Sequence, residues 1–455
     1  MSAVPDPSED KTGFTGKNYW LGIVNGALMN LAHAFEDHNT ILPVFVLRLT
    51  SSDAMVGLVA AIFMAGWYLP QFLVSSLVEH KERKLPYYIL WAKIRIASRV
   101  LLVLSIFLIG DSNAALLFWV FLLFWTTTSL GAGFAGVPFL DVVAKTVREK
   151  RRGSFFGTRR LLGALLGIGA GLVAKEVLAP GFSLGFPSNF GLLMTFATVS
   201  AAVGIFAFCR IDEPASVLGR ERRSFWEHLR SGARLIGVDR DYRIFLLTRV
   251  LWSATAMAFP FYAVYAVSDL GMAESAAGIF VTMWVAGTLL SNFVWSQVID
   301  RLGSRAAMIG SGVLGIASPA VACLVIFTPE GALPLPYPLS GLAEGNGFGG
   351  RHVVFMSTFV MNAFAFNGRL ISNMTYLLEI APQERRPTYI GLANSLTFPL
   401  ALSPVLGGLI AGWTGYLWLF VISGVGGILG LLSVLGLKGA AAEVETRSQL
   451  AIERR

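Results

Sequence analysis

The sequence predicts an all-α polytopic membrane protein, with about twelve spanning helices in two pseudo-symmetric six-helix bundles. Three observations carry this. Of the 455 residues, 55% are hydrophobic and only 14% charged, with a mean hydropathy of +0.64. Apolar runs repeatedly reach the roughly 20 residues that cross about 30 Å of hydrocarbon as a helix. The longest hydrophilic interruption, around 211–242, is rich in arginine and falls near the middle of the chain. Runs this long and continuous are unlike alternating barrel strands, and backbone amides in lipid leave only helices otherwise.

The expected spans lie near 18–47, 54–78, 86–109, 114–140, 156–178 and 189–210, then 243–267, 273–298, 305–327, 352–377, 388–411 and 414–437. This gives an N-terminal tail 1–17, a first bundle 18–210, a central loop 211–242, a second bundle 243–437 and a tail 438–455. Alternate loops are basic: Lys81, Arg83 and Lys84; Lys145 to Arg152; the central loop; Arg301 and Arg305; Arg385 and Arg386. The intervening loops carry Asp53, Asp111, Asp269, Glu274, Glu330 and Glu344. Positive loops stay inside, so both termini are expected in the cytoplasm of a multi-pass protein of the cell (inner) membrane.

The net charge of +8 follows this loop pattern. No basic face with interleaved aromatics exists, so nucleic acid is not an expected partner. Cys209 and Cys323 lie in apolar runs and suggest neither a disulfide framework nor a zinc site. The segment Met1–Lys17 lacks a basic n-region and a cleavage site, and no signal peptide is read. A phosphate-binding Gly-x-x-x-x-Gly-Lys-Ser/Thr sequence is absent, and His33 to His38 does not match the zinc-protease motifs. The expectation is a non-enzyme without a cofactor.

The first apolar run contains His33, Glu36, Asp37 and His38. Each acid costs roughly 2.5–3.5 kcal/mol at the bilayer centre, and a large aliphatic residue returns only about 0.3–0.6. At 100° per residue, Asn30, His33, Glu36, Asp37 and Thr40 share one face, above Gly26. A carboxylate pair beside a histidine suits proton exchange, and a structural ion pair is the alternative. In the tenth span Asn362, Phe366, Arg369, Asn373 and Tyr376 share a face, readable as a transport path or a packed polar seam. The seventh span carries Arg249, a substrate contact or a snorkelling charge, with Tyr262 and Tyr265 higher up. The third span carries Lys93, Arg95 and Arg99. Arg95 and Arg99 read as buried charge partners, with Glu36 or Asp37 as candidate counter-charges.

The halves also repeat. Ser75–Lys84 aligns without gaps on Ser296–Arg305, and Arg152-Gly153 with Gly157 on Arg386-Pro387 with Gly391. Asp300-Arg301-Leu-Gly303-Ser-Arg305 is similar to the cytoplasmic signature of the major facilitator superfamily, and Glu79 to Lys84 is its degenerate first-half counterpart. Gly163 to Gly171 resembles the antiporter motif of drug exporters, with Ile168 in place of proline; Ser403-Pro404 with Gly407-Gly408 matches it in the second half. Asp37 to Pro43 resembles a first-helix exporter motif. Thr127 to Gly133 resembles the proton-coupling motif, with Thr127 where that motif has arginine.

The chain thus resembles a twelve-helix major facilitator transporter. That resemblance implies a central cavity lined by helices 1, 4, 7 and 10, and a cytoplasmic latch formed by Glu79, Lys84, Asp300, Arg301 and Arg305. It places Glu36, Asp37, Thr127, Arg249 and Arg369 around one space, and with His33, Thr40, Asn362 and Asn373 from the helix faces above these are the expected proton or substrate residues. The expected function is secondary active transport of a small organic molecule by alternating access, as proton-coupled export. Uptake or exchange of an organic anion is the alternative, and a transporter-like receptor or assembly protein without transport is the alternative of another class. Expected partners are the bilayer, a small-molecule substrate and protons, for a protein acting as a monomer.

Overall fold

A computed structural model of the chain describes residues 14–78, 81–215, 239–334, 348–382, 389–390, 392–393 and 398–437. Glu79, most of the central loop, the start of the eleventh expected span and nearly all of both tails lie outside these residues. The described elements are helical. Eight described helical stretches, the broken run Arg240–Ser268 counted as one, are long and apolar enough to cross a membrane, with shorter apolar helices at Ile41–Thr50 and Pro399–Thr414.

The chain forms two compact units, Met1–Arg220 with Ala273–Thr282, and Glu221–Met272 with Met283–Arg455. The first unit holds α1 (Gly16–Phe35), α2 (Ile41–Thr50), α3 (Asp53–Val78), α4 (Leu85–Ile109), α5 (Ala114–Thr146), α6 (Arg152–Val177) and α7 (Ser188–Cys209). The next helices are α8 (Arg240–Met257), α9 (Phe261–Ser268) and α10 (Ala276–Leu302). They are followed by α11 (Ser304–Ile326), α12 (Gly350–Ile380), α13 (Ser403–Thr414) and α14 (Tyr416–Leu435). Large apolar side chains cover the outer helix faces: Leu108 is 81% exposed and Trp413 79%. Water would not tolerate so many of them, whereas lipid does.

Two expected spans are broken. The span expected at 18–47 is α1 and α2 with a break at Glu36–Thr40, and that expected at 243–267 is α8 and α9 with a break at Ala258–Pro260. Proline removes a helical hydrogen bond and its ring clashes with the carbonyl four residues back. Pro43 therefore acts on Asn39, and Pro260 on Ala256. At the first break local bonds replace the helical ones. The Asp37 side-chain Oδ1 accepts from the Asn39 amide at 3.0 Å and from the Thr40 hydroxyl at 2.9 Å, and the Asp37 carbonyl accepts from the Leu42 amide at 3.0 Å. Such Asx turns compete with helix wherever they are offered. The single face through Asn30, His33, Glu36, Asp37 and Thr40 therefore does not exist as one helical stripe. It ends at Glu36, the C-cap of α1.

Three long helices, α1, α4 and α6, are not among the most apolar. They carry the polar load: Asn25, Asn30 and His33 in α1, Lys93, Arg95 and Arg99 in α4, and Arg159 and Arg160 in α6. These three helices build the candidate site of the first unit.

Candidate functional site

In the first unit, Arg99 of α4 grips Glu36 with both fork nitrogens. Nη1 donates to Oε2 at 2.7 Å and Nη2 to Oε1. Both side chains are almost fully enclosed, at 4% and 7% exposure. A bidentate pair of this kind fixes orientation as well as charge. It ties the end of α1 to the middle of α4.

Arg95 and Arg159 have no carboxylate partner among the described residues. Arg95, one turn before Arg99, is buried and makes no hydrogen bond or ion pair among the described residues. Its aliphatic stem lies on Gly131 of α5, where a Cβ would stand 2.6 Å from Cγ. Arg159 of α6 lies on Gly26 of α1 in the same way. Its Nη2 donates to Asn25 Oδ1 at 3.2 Å, Nη1 is sealed without a partner, and the guanidinium sits over Phe139 and Phe155 at 4.7 and 5.2 Å. Ring faces attract a cation by about 0.5–1 kcal/mol when exposed and about 2 kcal/mol or more when desolvated, and do not neutralise it.

The second unit repeats the device. Arg369 of α12 lies against Gly315 of α11, donates through Nη1 to the Thr255 hydroxyl of α8, and stacks over Trp252 at 4.6 Å. Its Nε and Nη2 are buried without partners. Asn362, two turns earlier, donates to Ser318 Oγ at 2.6 Å, while Asn373 keeps a buried, unpaired Oδ1. Phe366 of the same expected stripe is exposed at 44%.

The remaining expected residues have more local roles. Asp37 and Thr40 bond each other in the helix break. His33 meets the Phe63 ring edge-on at 5.8 Å, and His38 stacks on Phe63 at 3.9 Å with Asn39 at its Nε2. The Thr127 hydroxyl donates back to the Leu123 carbonyl of its own helix. Arg249 is partly buried with its guanidinium 5.9 Å from the Phe245 ring.

The latch residues go to different places. The Lys84 ammonium pairs with Asp141 at 2.8 Å, and Lys145 bridges Asp141 and Glu213 at 2.7 and 2.8 Å. Glu213, with a side chain only 1% exposed, also accepts from the Lys84 and Leu85 amides at 2.8–2.9 Å. It supplies the missing cap of α4, where a helix N-terminus leaves donors free and favours an anion. Arg305 donates from Nη2 to the Leu435 carbonyl at 2.7 Å, capping α14. Asp300 and Arg301 are exposed. Glu79 lies outside the described residues. Sequence reasoning missed Arg159, Asp141 and Glu213, because each lies near a helix end where a charge reads as ordinary loop chemistry.

Two helical units with apolar outer faces, broken spans and enclosed charges define a multi-pass helical membrane protein. Residues 244–451 match the family model of the Major Facilitator Superfamily. No curated protein matches the chain. Among solved structures, it is similar to a bacterial homologue of the iron transporter ferroportin in its inward-facing state, with TM-score 0.69, 13% identity, and 92% of this chain and 98% of that one covered. A mutant of the nucleoside transporter NupG gives 0.68, 13%, 92% and 99%. A POT family transporter in complex with a thioalcohol-conjugated peptide gives 0.66, 12%, 93% and 97%. At such identities these likenesses show the fold. The family match is carried by residues 244–451, and the likenesses to solved transporters show one fold over nearly the whole chain.

Proposed function

We propose that this protein is a secondary active transporter that carries a small organic anion by alternating access. One observation carries the reading: buried or half-buried arginines inside the spanning helices lack a carboxylate partner among the described residues. In the first unit Glu36 is spent on Arg99 and the other buried acid, Glu213, on the start of α4, so that Arg95 and the half-buried Arg159 have no acid of their own; half-buried Arg369 in the second has, among the described residues, only a hydroxyl and a ring. Uncompensated charge in a low-dielectric interior is costly, and in spanning segments it usually marks a substrate path. A carboxylate or phosphate arriving with the substrate offsets that cost. The fold does not choose the cargo, and the structural neighbours named above carry different ones, so the charge of the site is the better guide. Asn362, Asn373, Thr127 and Arg249 then serve as polar and cationic groups along the path. Lys84 and Arg305 hold helix ends within their units.

Proton-coupled export is the second reading. It is favoured by Glu36, a lone enclosed carboxylate whose protonation would release Arg99, with His33 one turn away. The loop charges support a cell (inner) membrane location with both termini cytoplasmic.

Counterflow in proteoliposomes tests the proposal. Anionic compounds, carboxylates or phosphate esters, are expected to exchange, and their neutral analogues not. Exchange confined to neutral or cationic compounds overturns the anion reading. An imposed pH gradient that fails to drive any exchanged compound removes the proton reading.

A further inference from the structure

Besides Nη1 of the half-buried Arg159 and an Asp141 oxygen ion-paired to Lys145, four polar groups in the interior of the first unit have no hydrogen-bond partner among the described residues: Nε of Arg95, Nε of Arg99, and the hydroxyls of Thr128 and Ser129. All four residues are more than nine-tenths buried, with exposures of 7, 3, 4 and 4%. Buried polar groups are normally paired, so unmatched groups gathered in one place ask for a ligand.

Three of them share a register. The helices α4 and α5 are joined by the four residues between Ile109 and Ala114 and run antiparallel. Arg95 crosses α5 at Gly131. One turn further along α4 stands Arg99, and one turn back along α5, on the face of Gly131, stands Thr128. Ser129 turns the other way, its Cβ facing Gly66 of α3, and is not part of this set. Charge makes the set unbalanced: the two guanidiniums carry two positive charges, and the Glu36 carboxylate, spent on the Arg99 fork, supplies one negative.

We infer that Arg95, Arg99 and Thr128 form an oxyanion site inside the first unit. Its resident ligand is the Glu36 carboxylate, and the anionic group of the transported molecule exchanges with it. The inference rests on the anion reading above and gives that reading a place. An incoming carboxylate or phosphate neutralises Arg95, offers acceptors to the unpaired Nε atoms and the Thr128 hydroxyl, and competes with Glu36 for the Arg99 fork. The planar fork suits such a group better than an ammonium would. Gly131 is what allows the Arg95 stem to pass α5 and reach it.

Thermal unfolding of the purified full-length protein, titrated at constant ionic strength with inorganic phosphate, acetate or succinate, reads the site directly. Stabilisation by phosphate or by the carboxylates identifies which oxyanion it takes. Arg95→Gln is expected to weaken the apparent affinity on the order of tenfold or more, and Thr128→Val by about threefold. Glu36→Gln is expected to strengthen it by several-fold, because the internal competitor has lost its charge. Should Arg95→Gln fail to fold, Arg95→Lys keeps the charge without the fork and is expected to bind more weakly than wild type. Unchanged affinity in the Arg95 variants, or weaker binding in Glu36→Gln, overturns the inference. Loss in Arg369→Gln with retention in Arg95→Gln places the anion in the second unit, leaving the proposed function but not this site. A wild type that no anion stabilises removes both.

Discussion

Arg99 and Glu36 form a two-pronged ion pair across α4 and the end of α1, enclosed on all sides. Removing one member of an enclosed pair leaves the other charge stranded, at a cost of about 3–5 kcal/mol. Arg99→Leu and Glu36→Leu are each expected to lower stability by about that amount. The double variant should be less destabilised than their sum by several kcal/mol. Denaturation of the four proteins in detergent gives the coupling. Additive losses would mean that the pair contributes no interaction of its own. Transport should follow a different order, since Glu36→Gln keeps Arg99 available to substrate and Arg99→Leu does not.

Gly131 and Gly315 both face an arginine, yet their substitution should behave differently. At Gly131 a methyl would meet Cγ of Arg95, close to the backbone and hard to move; at Gly315 it would meet the terminal nitrogen of Arg369, which can swing aside. Gly131→Ala is therefore expected to destabilise by about 1–3 kcal/mol. Gly315→Ala should leave stability within about 1 kcal/mol of wild type while displacing Arg369 from Trp252. Melting curves with tryptophan fluorescence separate the two, because only the second variant should change Trp252 emission at unchanged stability.

Much of the fold is legible in the sequence because continuous apolar runs of spanning length admit few structures. The helix breaks are harder to see. Pro70, Pro138 and Pro319 sit inside unbroken helices, so proline alone does not mark a break. At Pro43 the difference is local: Asp37, Asn39 and Thr40 supply side-chain bonds that replace the lost helical ones. Glu36, Arg95, Arg99 and Arg369 stand out in sequence because a charge in an apolar run is anomalous. Which of them pair does not, since the choice of Arg99 over Arg95 depends on how far α4 slides against α1. Arg159 is hidden for another reason: it stands beside Arg160, two turns from a basic loop, and looks solvated until Gly26 and Phe139 are placed around it.

Asp37 has a structural task that can be separated from any proton task. Its Oδ1 accepts two hydrogen bonds that an asparagine oxygen can also accept. Asp37→Asn is expected to keep stability within about 0.5 kcal/mol, and Asp37→Ala to lose about 1–2 kcal/mol. If proton-driven transport is then measured in the stable asparagine variant, its retention assigns Asp37 to the helix break alone. Its loss shows that the carboxylate itself is needed.

Glu213 closes the ledger of charges at the start of α4. Its enclosed carboxylate accepts the Lys84 and Leu85 amides and the Lys145 ammonium, while Asp141 holds Lys84 and Lys145 from the other side. Replacing Glu213 by alanine strands two helix-end donors and leaves Lys145 with one acid, and is expected to cost about 3 kcal/mol. Glu213→Gln retains an acceptor for the amides but not the charge, and should lose roughly half of that. Because the helix carrying Arg95 and Arg99 starts at this cap, loosening it should also weaken anion binding, although Glu213 lies more than two turns from Arg95 by helix rise. Amide hydrogen exchange across 84–99 is the measurement. Faster exchange confined to the first turn of α4 would limit the effect to a local cap, whereas faster exchange through Arg95 would show that the cap sets the register of the arginine pair.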